Sequence, residues 1–133
     1  MSVACGPGAT TELTSTRPYA DAIGKEYRTI SDVDAVGIYR SVSDKTLAYI
    51  KLMPPPGIGG SEVAFSRPIE KGTTFRVRSA WKTFMVFDDG SYYVVDLEGN
   101  DLPPGIEVRV ALLNQNKGGS EGTLTPRIYE RLP

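Results

Sequence analysis

Histidine is missing from this chain, and cysteine occurs once. Without histidine the chain cannot build a Ser-His or Cys-His triad from its own residues. It also lacks the commonest general base near neutral pH and the commonest neutral metal ligand. A single cysteine, Cys5, excludes an internal disulfide. No stretch approaches the run of about twenty apolar residues that a membrane-spanning helix needs. Charge of one sign is also scarce: 15 basic against 16 acidic residues give a net charge of −1, which leaves no general basic field for nucleic acid. Long amphipathic helical patterns are absent as well. At 133 residues the chain suits one domain with a core that needs no staple.

What is present is β-strand patterning, and its strongest signal is Phe84-Met85-Val86-Phe87-Asp88-Asp89-Gly90-Ser91-Tyr92-Tyr93-Val94-Val95-Asp96-Leu97. Two β-branched and aromatic runs flank an Asp-Gly pair, which predicts a hairpin with a two-residue turn. That register pairs Phe87 with Tyr92, Val86 with Tyr93 and Phe84 with Val95. Both faces of the hairpin are then apolar: Phe84, Val86, Tyr93 and Val95 on one, Met85, Phe87, Tyr92 and Val94 on the other.

Further strands are expected over 25–30, 35–40 and 47–53, with a helical turn near 17–24 stopped by Gly24. In the third strand Leu47, Tyr49 and Lys51 share one side, and Ala48, Ile50 and Leu52 the other. Pro54-Pro55-Pro56-Gly57-Ile58-Gly59-Gly60 opens a long surface loop expected to reach about Arg67. Such a loop is either functional or folds Ile58, Val63 and Phe65 back over an open sheet end. Ile69-Glu70-Lys71-Gly72-Thr73-Thr74-Phe75-Arg76-Val77 has an echo in Leu102-Pro103-Pro104-Gly105-Ile106-Glu107-Val108-Arg109-Val110. Each reads as a glycine-closed turn that launches an alternating strand, with Phe75, Val77, Val108 and Val110 inward and the arginines outward. Trp81 carries the parity of Phe75 and Val77, which clashes with the hairpin pattern and predicts a bulge near 79–82. Residues 113–123 read as a polar loop, and 124–132 as a closing strand placed at an edge by Pro126.

The fold class read from this pattern is all-β. The Gly-Thr-x-Phe-x-Val strand start at Gly72 and the hairpin after it resemble bacterial SH3-like domains of exported proteins, over about residues 69–110. That resemblance implies a small SH3-like or related β-barrel with long loops. An oligonucleotide-binding-type barrel and a small β-sandwich remain open. Ser2-Val3-Ala4-Cys5 followed by a Gly/Pro/Thr/Ser stretch resembles the lipidation junction of bacterial lipoproteins. The resemblance implies that Cys5 is acylated, that residues 1–18 are a flexible tether too polar to join a core, and that residues 19–133 are one barrel-like domain. It also implies an exported protein, periplasmic or lipid-anchored in the cell envelope. The alternative is a free cysteine in a cytoplasmic tail.

Chemistry is harder to find. Asp32-Val33-Asp34 before Gly37 lacks the third ligand and distal glutamate of a helical calcium site. Asp88-Asp89-Gly90-Ser91 and Glu98-Gly99-Asn100-Asp101 are explained by turns. Cys5 has no base near it in sequence, and no glycine-rich loop leads into Lys-Ser/Thr and a helix. No metal, no cofactor and no nucleic-acid partner is expected, and the outward Arg76, Arg78 and Arg109 read as a solvated face with glutamates nearby. The expected function is non-catalytic binding of another protein or a peptide, as an inhibitor, immunity-type protein or small assembly subunit. Its candidate contact residues are Trp81, Met85, Phe87 and Tyr92, with Pro55 and Ile58 of the proline-rich loop. Contact with a membrane is expected only through a lipid at Cys5. Two further readings stand beside it: a carboxylate-dependent enzyme acting on glycan or peptidoglycan, and a subunit that self-associates by strand addition.

Overall fold

A computed structural model describes residues 9–55, 59–84, 90–99, 102–112 and 124–133. Among these residues the protein is all-β. Nine strands run in chain order: β1 (Ala9–Glu12), β2 (Glu26–Thr29), β3 (Val33–Tyr39), β4 (Leu47–Met53), β5 (Val63–Ile69), β6 (Thr74–Phe84), β7 (Ser91–Leu97), β8 (Val108–Ala111) and β9 (Tyr129–Arg131). A 3-10 turn, Tyr19–Ala22, lies between β1 and β2. All strands belong to one sheet of order β5-β3-β4-β8-β7-β6-β2-β9, and β1 pairs with the far half of β6. Every strand pair is antiparallel except β4 with β8.

Two short connections force this sheet to curl. β2 and β3 are consecutive in sequence but five places apart in the sheet. On a flat sheet five strand spacings amount to about 24 Å. Thr29 and Val33 are joined by so little chain that their Cα atoms lie within about 14 Å. β5 and β6 stand in the same relation and are joined by a tight turn in which the Thr73 amide donates to the Glu70 carbonyl at 3.2 Å. The sheet therefore bends into a half-barrel. Tyr27↔Phe75 and Arg28↔Thr74 in β2–β6 share one register with Val33↔Ile69 and Asp34↔Pro68 in β3–β5. The two strand pairs are thus one bent ladder with its corner at 30–32 and 70–73.

Thr29 fastens that corner. Its side chain is buried, and its Oγ1 accepts the Gly72 amide at 3.0 Å and the Thr73 amide at 3.2 Å. Gly72 has φ of 95°, and its echo Gly105 has φ of 79°, so both anticipated turns use the left-handed region that glycine tolerates.

The central core lies on one face. It gathers Ala35, Ile50, Leu52, Phe75, Val77, Tyr93, Val95, Val108 and Val110 from the strands, with Tyr19 and Ala22 from the 3-10 turn. Tyr27 stacks on Phe75 with centroids 5.7 Å apart, and Tyr129 meets the same ring edge-on at 5.5 Å. Phe65 covers Gly37: a Cβ on Gly37 would lie 2.4 Å from the Phe65 ring. This is an aromatic side chain filling the space a glycine leaves in a neighbouring strand.

Several expectations need correction. The hairpin register is shifted: Tyr92 pairs with Trp81 and Tyr93 with Ala80, rather than with Phe87 and Val86. The Thr83 amide donates to the Gly90 carbonyl, and residues 85–89, which hold the start of the expected two-residue turn, lie outside the described residues. The observed register lets β6 present Phe75, Val77 and Ala80 to the core. Residues 9–18 are part of the fold: β1 supplies an edge partner for 81–84, the Leu13 amide donates to the Ala80 carbonyl, and Leu13 packs against the core. Strand pairing is made by the backbone and does not require an apolar segment. The expected loop to Arg67 ends earlier, because β5 begins at Val63. Pro68 is tolerated there because β5 ends the sheet. The expected strand over 124–132 shortens to Tyr129–Arg131 at the opposite edge.

Candidate functional site

A bulge in β6 creates the site. The register with β7 shifts between Val77 and Ser79, so Arg78 is an extra residue. Past it the parity of β6 inverts, as the clash of patterns anticipated, although the shift falls slightly earlier in the chain. Ala80 takes the core side, and Trp81 turns to the opposite face. Directly across from Trp81 is Tyr92, and paired residues share a face.

That face carries a second apolar layer. Val36, Ile38, Tyr92 and Val94 are buried yet stand outside the central cluster. β7 is consequently buried on both faces over Tyr92–Val95, as its apolar run implied. Tyr49 and Lys51 of β4 and Arg109 of β8 alternate onto the same side, with Glu107 just before β8. The Arg109 guanidinium contacts two rings, 3.9 Å from the centroid of Tyr49 and 4.4 Å from that of Tyr92. Its Nε donates to Glu107 Oε2. Stacking of this kind contributes about 0.5–2 kcal/mol according to how far water is excluded. Burial raises the Tyr92 hydroxyl above its ordinary value, against a smaller opposing pull from Arg109. The Trp81 indole Nε1 donates to Ser79 Oγ at 2.9 Å, and the ring is half-buried.

Of the sequence-derived contact residues, Trp81 and Tyr92 are brought together. Pro55 is exposed after β4. Met85, Phe87, Ile58 and Cys5 lie outside the described residues. The strand β5 lies at the edge beside β3, and Arg109 lies over the Tyr92 ring. Sequence reasoning missed Tyr49, Lys51 and Arg109 as neighbours of this site, because β4 and β8 meet only through a parallel pairing across some fifty residues of chain. The alternation in each strand gave the face but not the neighbour.

The outward arginines each have an acidic partner: Arg76 with Glu26, Arg78 with Asp96, Arg109 with Glu107. A groove of about 530 Å³ opens where β8 parts from the end of β7, lined by Arg78, Asp96, Leu97, Pro103, Pro104 and Glu107 among others. Its two carboxylates are the ones committed to Arg78 and Arg109. Among the described residues no group of three or more Cys, Asp or Glu side chains could hold a metal ion. No helix among them is long and apolar enough to cross a membrane.

No family model matches this sequence, and no curated protein or solved structure matches it either.

Proposed function

We propose that this protein is a non-catalytic binding module that recognises another protein or a peptide through the sheet face centred on Trp81 and Tyr92. The observation that carries the reading is the pairing of these two side chains on the face turned away from the central core, beside the Tyr49–Arg109 stack. Tryptophan, tyrosine and arginine are the residue types that dominate binding energy at protein interfaces, and here Trp81 is half-buried beside the more deeply set Tyr92. The finer fold assignment, an SH3-like barrel, rests on the Gly72-to-Val77 strand start. Placement at the bacterial cell envelope, anchored by a lipid on Cys5, rests on the residues around that cysteine.

The test is affinity capture from envelope extract with the whole chain as bait, because β1 belongs to the fold. A partner retained by the natural chain and lost by Trp81→Ala supports the reading, provided both melt alike. Equal recovery by both baits, or no partner with either, overturns the site. The glycan-hydrolase reading has one point in its favour, the two carboxylates of the groove, but each already serves an arginine.

A further inference from the structure

The binding face sets two cations side by side. Lys51 of β4 and Arg109 of β8 are in register on one side of a parallel pair. Like charges set side by side on neighbouring strands are unfavourable. Glu107 accepts from Arg109 Nε. Lys51 makes no ion pair among the described residues. Asp34 shares this face one step along β3, where it pairs with Met53, and it makes no ion pair with Lys51 among those residues.

The geometry of Arg109 is that of a receptor prepared in advance. Tyr49 and Tyr92 both hold the guanidinium by cation–π contact, and Glu107 accepts from its Nε. The terminal nitrogens, with four of the five N–H donors, have no acceptor among the described residues. The side chain is 26% exposed. A planar fork held this way matches the two oxygens of a carboxylate, and little side-chain entropy remains to be lost on binding. Lys51 stands next to the fork and adds attraction for the same anion.

We infer that Tyr49, Lys51, Tyr92 and Arg109 form a pocket for a glutamate or aspartate side chain in an acidic segment of the protein partner, with Trp81 packing against that segment. The inference rests on the binding-module reading and names the chemistry of its partner.

The experiment is a titration of the 15N-labelled full chain, following the Arg109 Nε–H and Trp81 indole resonances. Three probes are added: acetyl-Glu-Leu-Glu-amide, its Gln-Leu-Gln analogue and free glucuronate. The glutamate peptide should shift both resonances saturably and bind about tenfold tighter than the glutamine analogue, as expected for a charge-assisted forked pair. Arg109→Lys keeps the charge and loses the fork, and should weaken the glutamate peptide by about fivefold or more. Lys51→Gln, which leaves the stack intact, should weaken it by about twofold to fivefold. Equal binding of the glutamine analogue, or no saturable shift with the glutamate peptide, overturns the inference. So does glucuronate binding as tightly as the peptide, since the site would then serve a sugar acid. A captured partner that needs Trp81 but binds Arg109→Lys equally well would sink the carboxylate pocket and leave the binding module standing. Peptide binding that survives Trp81→Ala unchanged would overturn the part of the inference that packs Trp81 against the acidic segment.

Discussion

Three single residues isolate three different forces. Gly37 has no room for a methyl group beneath the Phe65 ring. Gly37→Ala should therefore destabilise the fold by about 1–3 kcal/mol through overpacking, read as a lower denaturant midpoint. Thr29 Oγ1 receives two amides of the 70–73 turn. Thr29→Val keeps the shape and removes a shared acceptor, while the Gly72 amide keeps the Thr29 carbonyl at 2.9 Å and the Thr73 amide keeps the Glu70 carbonyl at 3.2 Å, so the cost should be about 0.5–1.5 kcal/mol, read as a lower denaturant midpoint. Tyr129 presents the opposite case. Its hydroxyl is buried without a partner. Tyr129→Phe removes that unsatisfied group and keeps the edge-on contact with Phe75, so stability should hold or rise by up to about 1–2 kcal/mol. A loss of stability in Tyr129→Phe would show that the hydroxyl has a partner after all.

At the scale of the element, the β6 bulge decides which way Trp81 faces. Arg78 is the inserted residue, and its pair with Asp96 is exposed. Arg78→Ala removes a surface ion pair and should cost no more than about 1 kcal/mol. Deleting Arg78 is different, because it restores simple alternation and drives Trp81 toward the core side that Ala80 now occupies without exposure. The deletion should lower stability by about 3 kcal/mol or more and abolish partner capture, whereas Arg78→Ala should capture normally. Thermal melts of the two variants side by side check this. β1 belongs to the same element-level account. It gives the far half of β6 the neighbour that β2 gives the near half, so bait trimmed to residue 19 would present Trp81 on a bare edge.

For the whole molecule, the buried tyrosines set the alkaline limit. Tyr27, Tyr92, Tyr93 and Tyr129 are all raised above the ordinary tyrosine value of 10.0, chiefly by burial. Each stays protonated in the fold at a pH where the unfolded chain has begun to ionise. Their combined contribution is therefore intact below about pH 10 and is lost as pH rises through the folded values. Absorbance at the phenolate band should show one part of the seven tyrosines ionising freely and the rest only as the fold melts. A single smooth titration with the fold intact would mean that these rings are open to solvent. The curl of the sheet makes this a global event: the core face is enclosed by strands from both ends of the chain, with Tyr27 of β2 beside Arg131 of β9.

Much of this protein was written in local pattern. The absence of histidine, the alternation in β4, β6 and β8, the glycine turns at Gly72 and Gly105, and the two-sided burial of β7 all follow from residue type and a period of two. So does the bulge, which appeared in the sequence as a conflict of parity at Trp81. The hairpin register, the place of β1 and the neighbours of Arg109 did not follow, because each depends on pairings between segments far apart in the chain. Alternation names the face of a strand and leaves its partner open. The partner was decided when two short connections, at 30–32 and 70–73, bent the sheet back on itself and brought β4 and β8 side by side.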